Sequence, residues 1–245
     1  MRNIKLLIEY DGKNFPGWQS QPGKVSIQSE IESAIKEITG EDVQIIASGR
    51  TDAGVHALGQ VANFHTDTKI PINQIPYAIN SKLSRSVVIK SAEEVPERFH
   101  SRYNCKQKTY RYIVNNSEFP SALNRYREFH MPYKLDIDKM KQAVKFFEGE
   151  HDFAGFKSSG GSEKKTTVRN LTKCDVRQED SRIIIELTGN GFLYNMVRII
   201  SGTIVDVGLG KIALEDIEDI INSKDRTRAG KTLPPHGLYL VKVEY

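Results

Sequence analysis

The chain has 245 residues, 38% of them hydrophobic and 27% charged. That is room for one large core or two smaller ones, and too much apolar material for global disorder. Thirty-five Lys and Arg against 31 Asp and Glu leave a net charge of +4, a mildly basic balance that permits nucleic-acid binding without demanding it.

In chain order, the start MRNIKLLIEYDG meets Glu9 and Asp11 before an apolar stretch of signal-peptide length can build. Ile4, Leu6 and Ile8 alternate as a half-buried strand would, and Ile27, Ile31, Ala34, Ile35 and Ile38 recur at helical steps behind Ser26, with Gly40 as the stop. Strands over 43 to 47 and 60 to 65 follow, separated by the loop SGRTDAGVHALG. Pro71 enters a second helix running from 72 to about 83, and 86 to 91 reads as a strand. The first half is therefore β-α-β-β-α-β. After an irregular stretch at 92 to 104 the order recurs. KTYRYIV at 108 to 114 is strand-like, and 137 to 147 is helical between Asp136 and Gly149. Segments 168 to 176 and 182 to 187 form a hairpin, 192 to 207 a helix, 214 to 221 a short extra helix, and 238 to 244 a closing strand. The pattern predicts an α+β chain of two ferredoxin-like α/β units, over 1–104 and 105–245, with loose linkers at 158 to 165 and 223 to 235.

No run approaches the ~18 apolar residues of a membrane span. Cys105 and Cys174 form neither a CxxC pair nor a Cys/His cluster, so no zinc site or disulfide framework is expected and a reduced, cytoplasmic compartment is. Two near-matches to nucleotide loops also fall short. Gly230-Lys231-Thr232 resembles the end of a P-loop, but the earlier glycine is replaced by Asp225, and Pro234-Pro235 forbids the helix that should follow. Gly189-Asn190-Gly191 stands between a strand and a helix, yet Tyr194 replaces the third glycine of a dinucleotide loop. No cofactor is expected.

Basic residues concentrate between Arg98 and Lys134, where eight Lys or Arg (98, 102, 106, 108, 111, 125, 127, 134) face two acids, Glu118 and Glu128. The same window holds eight of the 21 aromatics. Cations neutralise phosphates and rings stack on unpaired bases, so the combination suits RNA. An amphipathic strand pair, with Tyr on the core side and charge in water, would give the same composition.

The loop SGRTDAGVHALG is more specific. If residues 50 to 52 are extended, side chains two apart share a face, and the guanidinium of Arg50 lies beside the carboxylate of Asp52. A neighbouring cation keeps an aspartate ionised, as a nucleophile must be. Gly49 and Gly54 leave room for a substrate to approach the main chain. The alternative is a strand-to-strand turn in which Asp52 merely caps a nearby amide.

Six blocks carry a resemblance: IEYDGKNFPGWQSQ at 8 to 21, SGRTDAGVHALGQVANF at 48 to 64, RFHSRYNCKQKTYRY at 98 to 112, FEGEHDFAGF at 147 to 156, GNGFLYNMVRIISGT at 189 to 203 and PPHGLYL at 234 to 240. In this order they resemble the tRNA pseudouridine synthase A family along nearly the whole chain. The resemblance implies two α/β units joined through one continuous, mainly antiparallel sheet, a homodimer, no cofactor or metal, and tRNA as partner. The implied reaction isomerises uridine to pseudouridine in the anticodon stem-loop, at positions 38 to 40. It makes Asp52 the nucleophile, Tyr110 the ring on the target base, Arg198 the basic residue that pairs with the aspartate, and Arg50 the holder of the flipped nucleotide. On the predicted helix Tyr194, Arg198 and Ser201 fall near one face. Residue types leave open whether Asp52 attacks C1′, adds to C6, or removes the 2′ proton. A non-catalytic RNA-binding protein with a ferredoxin-like fold would explain the basic window but not RTDAG. A glycosidase would want a second acid, and none is identifiable beside Asp52.

Overall fold

The computed structural model describes residues 1–160 and 166–245; the remainder of the linker expected at 158 to 165 lies outside the described residues. The elements in order are β1 (Arg2–Tyr10), α1 (Ile27–Thr39), β2 (Ile46–Ala47), β3 (His56–Thr66), α2 (Ile75–Asn80) and β4 (Val87–Val95). Then come β5 (Gln107–Asn115), β6 (Phe129–His130), α3 (Ile137–Lys145), β7 (Gly149–Asp152), β8 (Val168–Glu179) and β9 (Arg182–Gly189). The last elements are α4 (Met196–Gly208), α5 (Ile217–Ser223) and β10 (Leu238–Glu244). Two compact units result, Met1–Lys106 with Tyr239–Tyr245, and Gln107–Leu238. This differs from the expected halves 1–104 and 105–245 chiefly at the closing strand. Tyr239 and Leu240 pair in parallel with His56 and Ala57 of β3, which draws the chain end into the first unit. Alternation in a strand shows which face is buried, not which sheet edge will take it.

In the first unit β1 runs antiparallel to β3 from Arg2↔Thr66 to Tyr10↔Ala57, and to β4 from Asn3↔Val95 to Tyr10↔Val87. The other edge of β3 is shared by β2, at Ile46↔Asn63, and by β10. This β4-β1-β3-β2 order with two intervening helices is the expected ferredoxin-like arrangement. Ile4, Leu6 and Ile8 are buried as their alternation requires, and α1 buries Ile27, Ile31, Ala34 and Ile35. Ser26 caps α1 by accepting from the Ser29 amide, and Gly40 ends it at φ 77°. Four expectations shift, one of them being that the strand expected at 86 to 91 continues as β4 through Val95, into the stretch expected to be irregular. Strand 43 to 47 shrinks to two residues, because Glu32 takes the Ile45 amide at 3.0 Å. Strand 60 to 65 lengthens to start at His56; Gly59 there passes so close to the Val241 carbonyl that a β-carbon would collide. Helix 72 to 83 shortens to α2, since Pro71 opens a turn closed by the Gln74 amide (2.8 Å) and the helix begins only with Pro76 in its first turn.

In the second unit β5, β9, β8 and β7 pair antiparallel in that order, and β6 adds in parallel to β5. The hairpin expected from 168 to 187 is formed by β8 and β9 and turns at Asp180, φ 53°. Helix α3 starts behind Asp136, whose carboxylate accepts from the Lys139 amide (3.0 Å), and ends at Lys145, two residues early. It lies close to α4: a β-carbon on Gly208 would stand 2.8 Å from the Met140 sulfur. Helix α4 starts at Met196 rather than 192, because Asn195 sits at φ 61°, outside helical space. Strands β6 and β7 are too short to show a period and were not expected. Both units are thus α+β with mainly antiparallel sheets, as the sequence predicts.

Candidate active site

In the first unit residues 48–55 form a loop between β2 and β3, clamped from behind. The Ser48 amide donates to the Val61 carbonyl (2.8 Å) and its hydroxyl to Gln60 Oε1 (2.7 Å); Gln60 Nε2 donates to the Gly49 carbonyl (2.9 Å). Thr51 is buried with its hydroxyl 2.7 Å from the Tyr10 hydroxyl, and its carbonyl accepts from the Trp18 amide (3.0 Å). Gly17 bridges Asp52 through the backbone at φ 115°, where a β-carbon would lie 2.7 Å from the Thr51 carbonyl oxygen. Gly12 approaches the Val55 carbonyl more closely still, and its amide donates to Nδ1 of the buried His56 (3.1 Å). The block IEYDGKNFPGW is therefore the wall on which the loop rests.

Arg50 is exposed, Thr51 buried and Asp52 half-buried, the alternation of an extended segment. Thr51 points back to Tyr10, with the more exposed Arg50 and Asp52 on either side of it in the chain. The Val55 amide returns to the Asp52 carbonyl (3.2 Å), with Gly54 at φ 77° completing the turn. Behind the loop, burial pushes the Tyr10 phenol well above its usual pKa, against hydrogen bonds to Thr51 and Gln60 that pull it down, so the support is uncharged.

In the second unit Tyr110 stands on β5 opposite Leu187 and is 8% exposed. Its ring meets Phe192 edge-on, centroids 5.0 Å apart. Tyr112, on the same face two residues on, is fully buried and donates its hydroxyl to the Pro234 carbonyl (2.7 Å). Arg198 lies in the first turn of α4, its Nε donating to the Leu233 carbonyl (2.6 Å) and its Nη1 to Asn195 Oδ1 (2.7 Å). Arg198 and Ser201 belong to α4, but Tyr194 precedes the turn at Asn195 and is off the helix, so the expected shared helical face holds for two of the three. The segment GNGFLYN links the neighbours of both sites in this unit, since Phe192 packs on Tyr110 and Asn195 holds Arg198. Phe192, Asn195, Tyr10, Trp18 and Tyr112 were not singled out from sequence, although all five lie inside the six quoted blocks.

The basic aromatic window divides. Tyr112 is core, and Arg111 is paired with Glu186 at 3.0 Å, as an amphipathic strand would have it. Arg98, Arg102, Arg125 and Arg127 are exposed, as are Tyr103, Phe119 and Tyr133, and Arg125 lies 4.8 Å over the Tyr126 ring. The segment at 230 to 232 packs on α4, where a β-carbon on Gly230 would stand 2.5 Å from the Thr203 amide nitrogen, and so forms no phosphate cradle. Among the described residues no helix is long and apolar enough to cross a membrane.

Residues 6–104 and 143–245 match a family model described as tRNA pseudouridine synthase. The chain belongs to the tRNA pseudouridine synthase family. Arg50, Asp52 and Arg198 fall within the matched segments; Tyr110 falls between them. Full-length relatives span it as well. The chain is 53% identical to the tRNA pseudouridine synthase A of Acetivibrio thermocellus and 55% identical to that of Caldicellulosiruptor saccharolyticus, each over 245 residues and the whole of both chains. Among solved structures, a chain of a "Cbf5-Nop10-Gar1 Complex" aligns with a TM-score of 0.33 at 13% identity, over 96% of this chain and 56% of that one. This synthase chain thus spans about half the length of that solved chain, a likeness too loose to equate side chains.

Proposed function

We propose that this synthase isomerises uridine to pseudouridine in tRNA, at positions 38, 39 and 40 of the anticodon stem-loop, with Asp52 as the nucleophile. The observation that carries the reading is the loop at 48–55, whose backbone is fixed by Trp18, Gly17 and Val61 while Arg50 is exposed and Asp52 half-buried. Positioning of this kind is what a nucleophile needs.

In the reaction the C1′–N1 bond breaks, the uracil turns, C5 bonds to C1′ and C5 loses its proton. Nothing is oxidised and no group leaves the nucleotide. A base within a stem is out of reach until it is unstacked, and the protein must supply stacking in exchange. Tyr110 takes that role, and Arg198 supplies positive charge at the reacting centre. Arg50 holds the flipped nucleotide through phosphate, where a guanidinium pairs well with oxyanions. The enzyme acts as a homodimer in the cytoplasm, as its family resemblance implies.

Tritium release from tRNA carrying C5-labelled uridine tests the reading. A synthase releases tritium and leaves pseudouridine in the chain. Free uracil without tritium release would make the protein a glycosidase, and tRNA binding without either product would make it an RNA-binding protein.

A further inference from the structure

Residues 226–234 run as a strap along α4 within the second unit. At one end Arg226 holds the strap's own backbone, Nη1 donating to the carbonyls of Ala229 (3.3 Å) and Gly230 (3.0 Å) and Nη2 to the Thr232 hydroxyl (3.0 Å). In the middle the Gly230 amide donates to Thr203 Oγ1 (2.9 Å), and a β-carbon on Gly202 would collide with the Lys231 carbonyl. At the far end the Leu233 carbonyl accepts from Arg198 Nε (2.6 Å), while the Leu233 amide reaches back to the Arg198 carbonyl (3.4 Å). The next carbonyl, that of Pro234, accepts from the Tyr112 hydroxyl (2.7 Å). The Gly-Lys-Thr sequence that resembles a P-loop is thereby explained: its glycine permits close approach to α4 and its threonine engages Arg226.

We infer that Tyr112 is a positioning residue for Arg198, acting through this strap; the inference rests on the placement of Arg198 at the reacting centre. A guanidinium is a rigid planar fork with five donors, so fixing Nε and Nη1 fixes the plane in which the others point. Asn195 Oδ1 is one fixed acceptor, itself held by a left-handed backbone and by a hydrogen bond to the Ser158 hydroxyl (3.0 Å). The Leu233 carbonyl is the other. It belongs to an extended segment ahead of a proline, and Pro234 has no amide with which to dock it. The Tyr112 hydroxyl supplies an anchor one residue away. Burial keeps that hydroxyl protonated, so it remains a donor, although the Arg198 charge pulls the other way.

The test compares full-length wild type with Tyr112→Phe, which keeps the buried ring and removes the donor. Two quantities are read: hydrogen exchange at Arg198 Nε by nitrogen-15 NMR, assigned by its disappearance in Arg198→Lys, and the kinetics of tritium release from tRNA. Losing one anchoring hydrogen bond should speed Nε–H exchange and lower kcat by roughly 5- to 10-fold each, with KM for tRNA within about two-fold. Unchanged exchange overturns the inference whatever happens to kcat, and so does changed exchange with unchanged kcat. If Tyr112→Phe does not fold, Thr203→Val loosens the middle of the strap and must produce the same pair of changes. Should the wild type release no tritium at all, the proposed function fails; the exchange measurement still decides whether Tyr112 holds Arg198.

Discussion

The two units hold their candidate residues by opposite means. The first presents Asp52 and Arg50 on a loop that is gripped chiefly by its backbone, through the Trp18 amide, the Val61 carbonyl, the Gly17 bridge and the bare α-carbon of Gly12, with the Ser48 and Thr51 hydroxyls tied back to Gln60 and Tyr10. The second presents Tyr110 on a strand and Arg198 on a 13-residue helix, whose backbones need no such help, and the side chains themselves are gripped, by Phe192, Asn195 and the Leu233 carbonyl. A loop clamped by its main chain tolerates a change of its functional side chain without a change of shape. A side chain clamped at its tip does not.

The sharpest use of this difference is Asp52→Asn. Because the backbone holds the loop, the variant should fold and bind tRNA within a few-fold of wild type, while tritium release falls by at least ~10³-fold through loss of the nucleophilic charge. Turnover by a preparation checked by mass spectrometry for deamidation back to Asp would remove Asp52 from the reaction.

Tyr110 is the corresponding test in the second unit. Stacking on the flipped uracil is worth roughly 1–3 kcal/mol, so Tyr110→Ala should lose at least that much in kcat/KM. After C5 joins C1′ some group must take the C5 proton, and the proposed stacking of Tyr110 on the uracil makes its phenol the candidate base. Tyr110→Phe should then fall by about 10²-fold with tRNA still bound. Retained turnover in Tyr110→Phe would leave stacking alone, and full activity in Tyr110→Ala with an intact fold would make it a core tyrosine packed on Phe192.

How much of this was legible in the sequence follows the same division. Local signals were readable: the helical spacing of α1 between Ser26 and Gly40, the β8–β9 hairpin, and the RTDAG loop, whose glycines and aspartate lie within a few residues of one another. Long-range partners were not. Thr51 meets Trp18 across 33 positions and Arg198 meets Leu233 across 35, and no periodicity encodes such pairings. The same blindness misplaced the end of the chain, since nothing within residues 238 to 244 names β3 as the partner. A single left-handed residue, Asn195, hid the true start of α4 because its neighbours have ordinary helical composition.

The exposed cations offer a third comparison, with effects of up to about 10²-fold on affinity near 0.1 M salt. Reversing Arg98 and Arg102 alters the first unit, and reversing Arg125 and Arg127 the second; all four are exposed. Each pair is expected to flatten the plot of log affinity against log salt by roughly two units. A pair that leaves the slope unchanged is a solvated face, and the phosphate contacts then belong to the other unit.

The smallest expected effect concerns the uncharged support behind the Asp52 loop. Tyr10→Phe removes the hydroxyl that meets Thr51 at 2.7 Å and leaves a buried oxygen short of a partner, which should cost about 1–2 kcal/mol at neutral pH. In denaturant titrations this appears as a lower midpoint at unchanged slope. Alkaline pH should then close the gap. Burial raises the folded-state pKa of Tyr10 above the ordinary tyrosine value of 10.0, so above pH 10 the unfolded chain releases this proton while the folded chain keeps it. The unfolded state then binds fewer protons, and the wild type loses up to about 1.4 kcal/mol per pH unit from this group until the folded pKa is passed. Tyr10→Phe lacks the group and is spared that loss. The two stability curves should therefore converge as pH rises from 10 to 11, with every other tyrosine contributing equally to both. Parallel curves over that range would mean that the Tyr10 hydroxyl ionises in the folded protein as readily as in the unfolded one, and that the support behind the loop is wet.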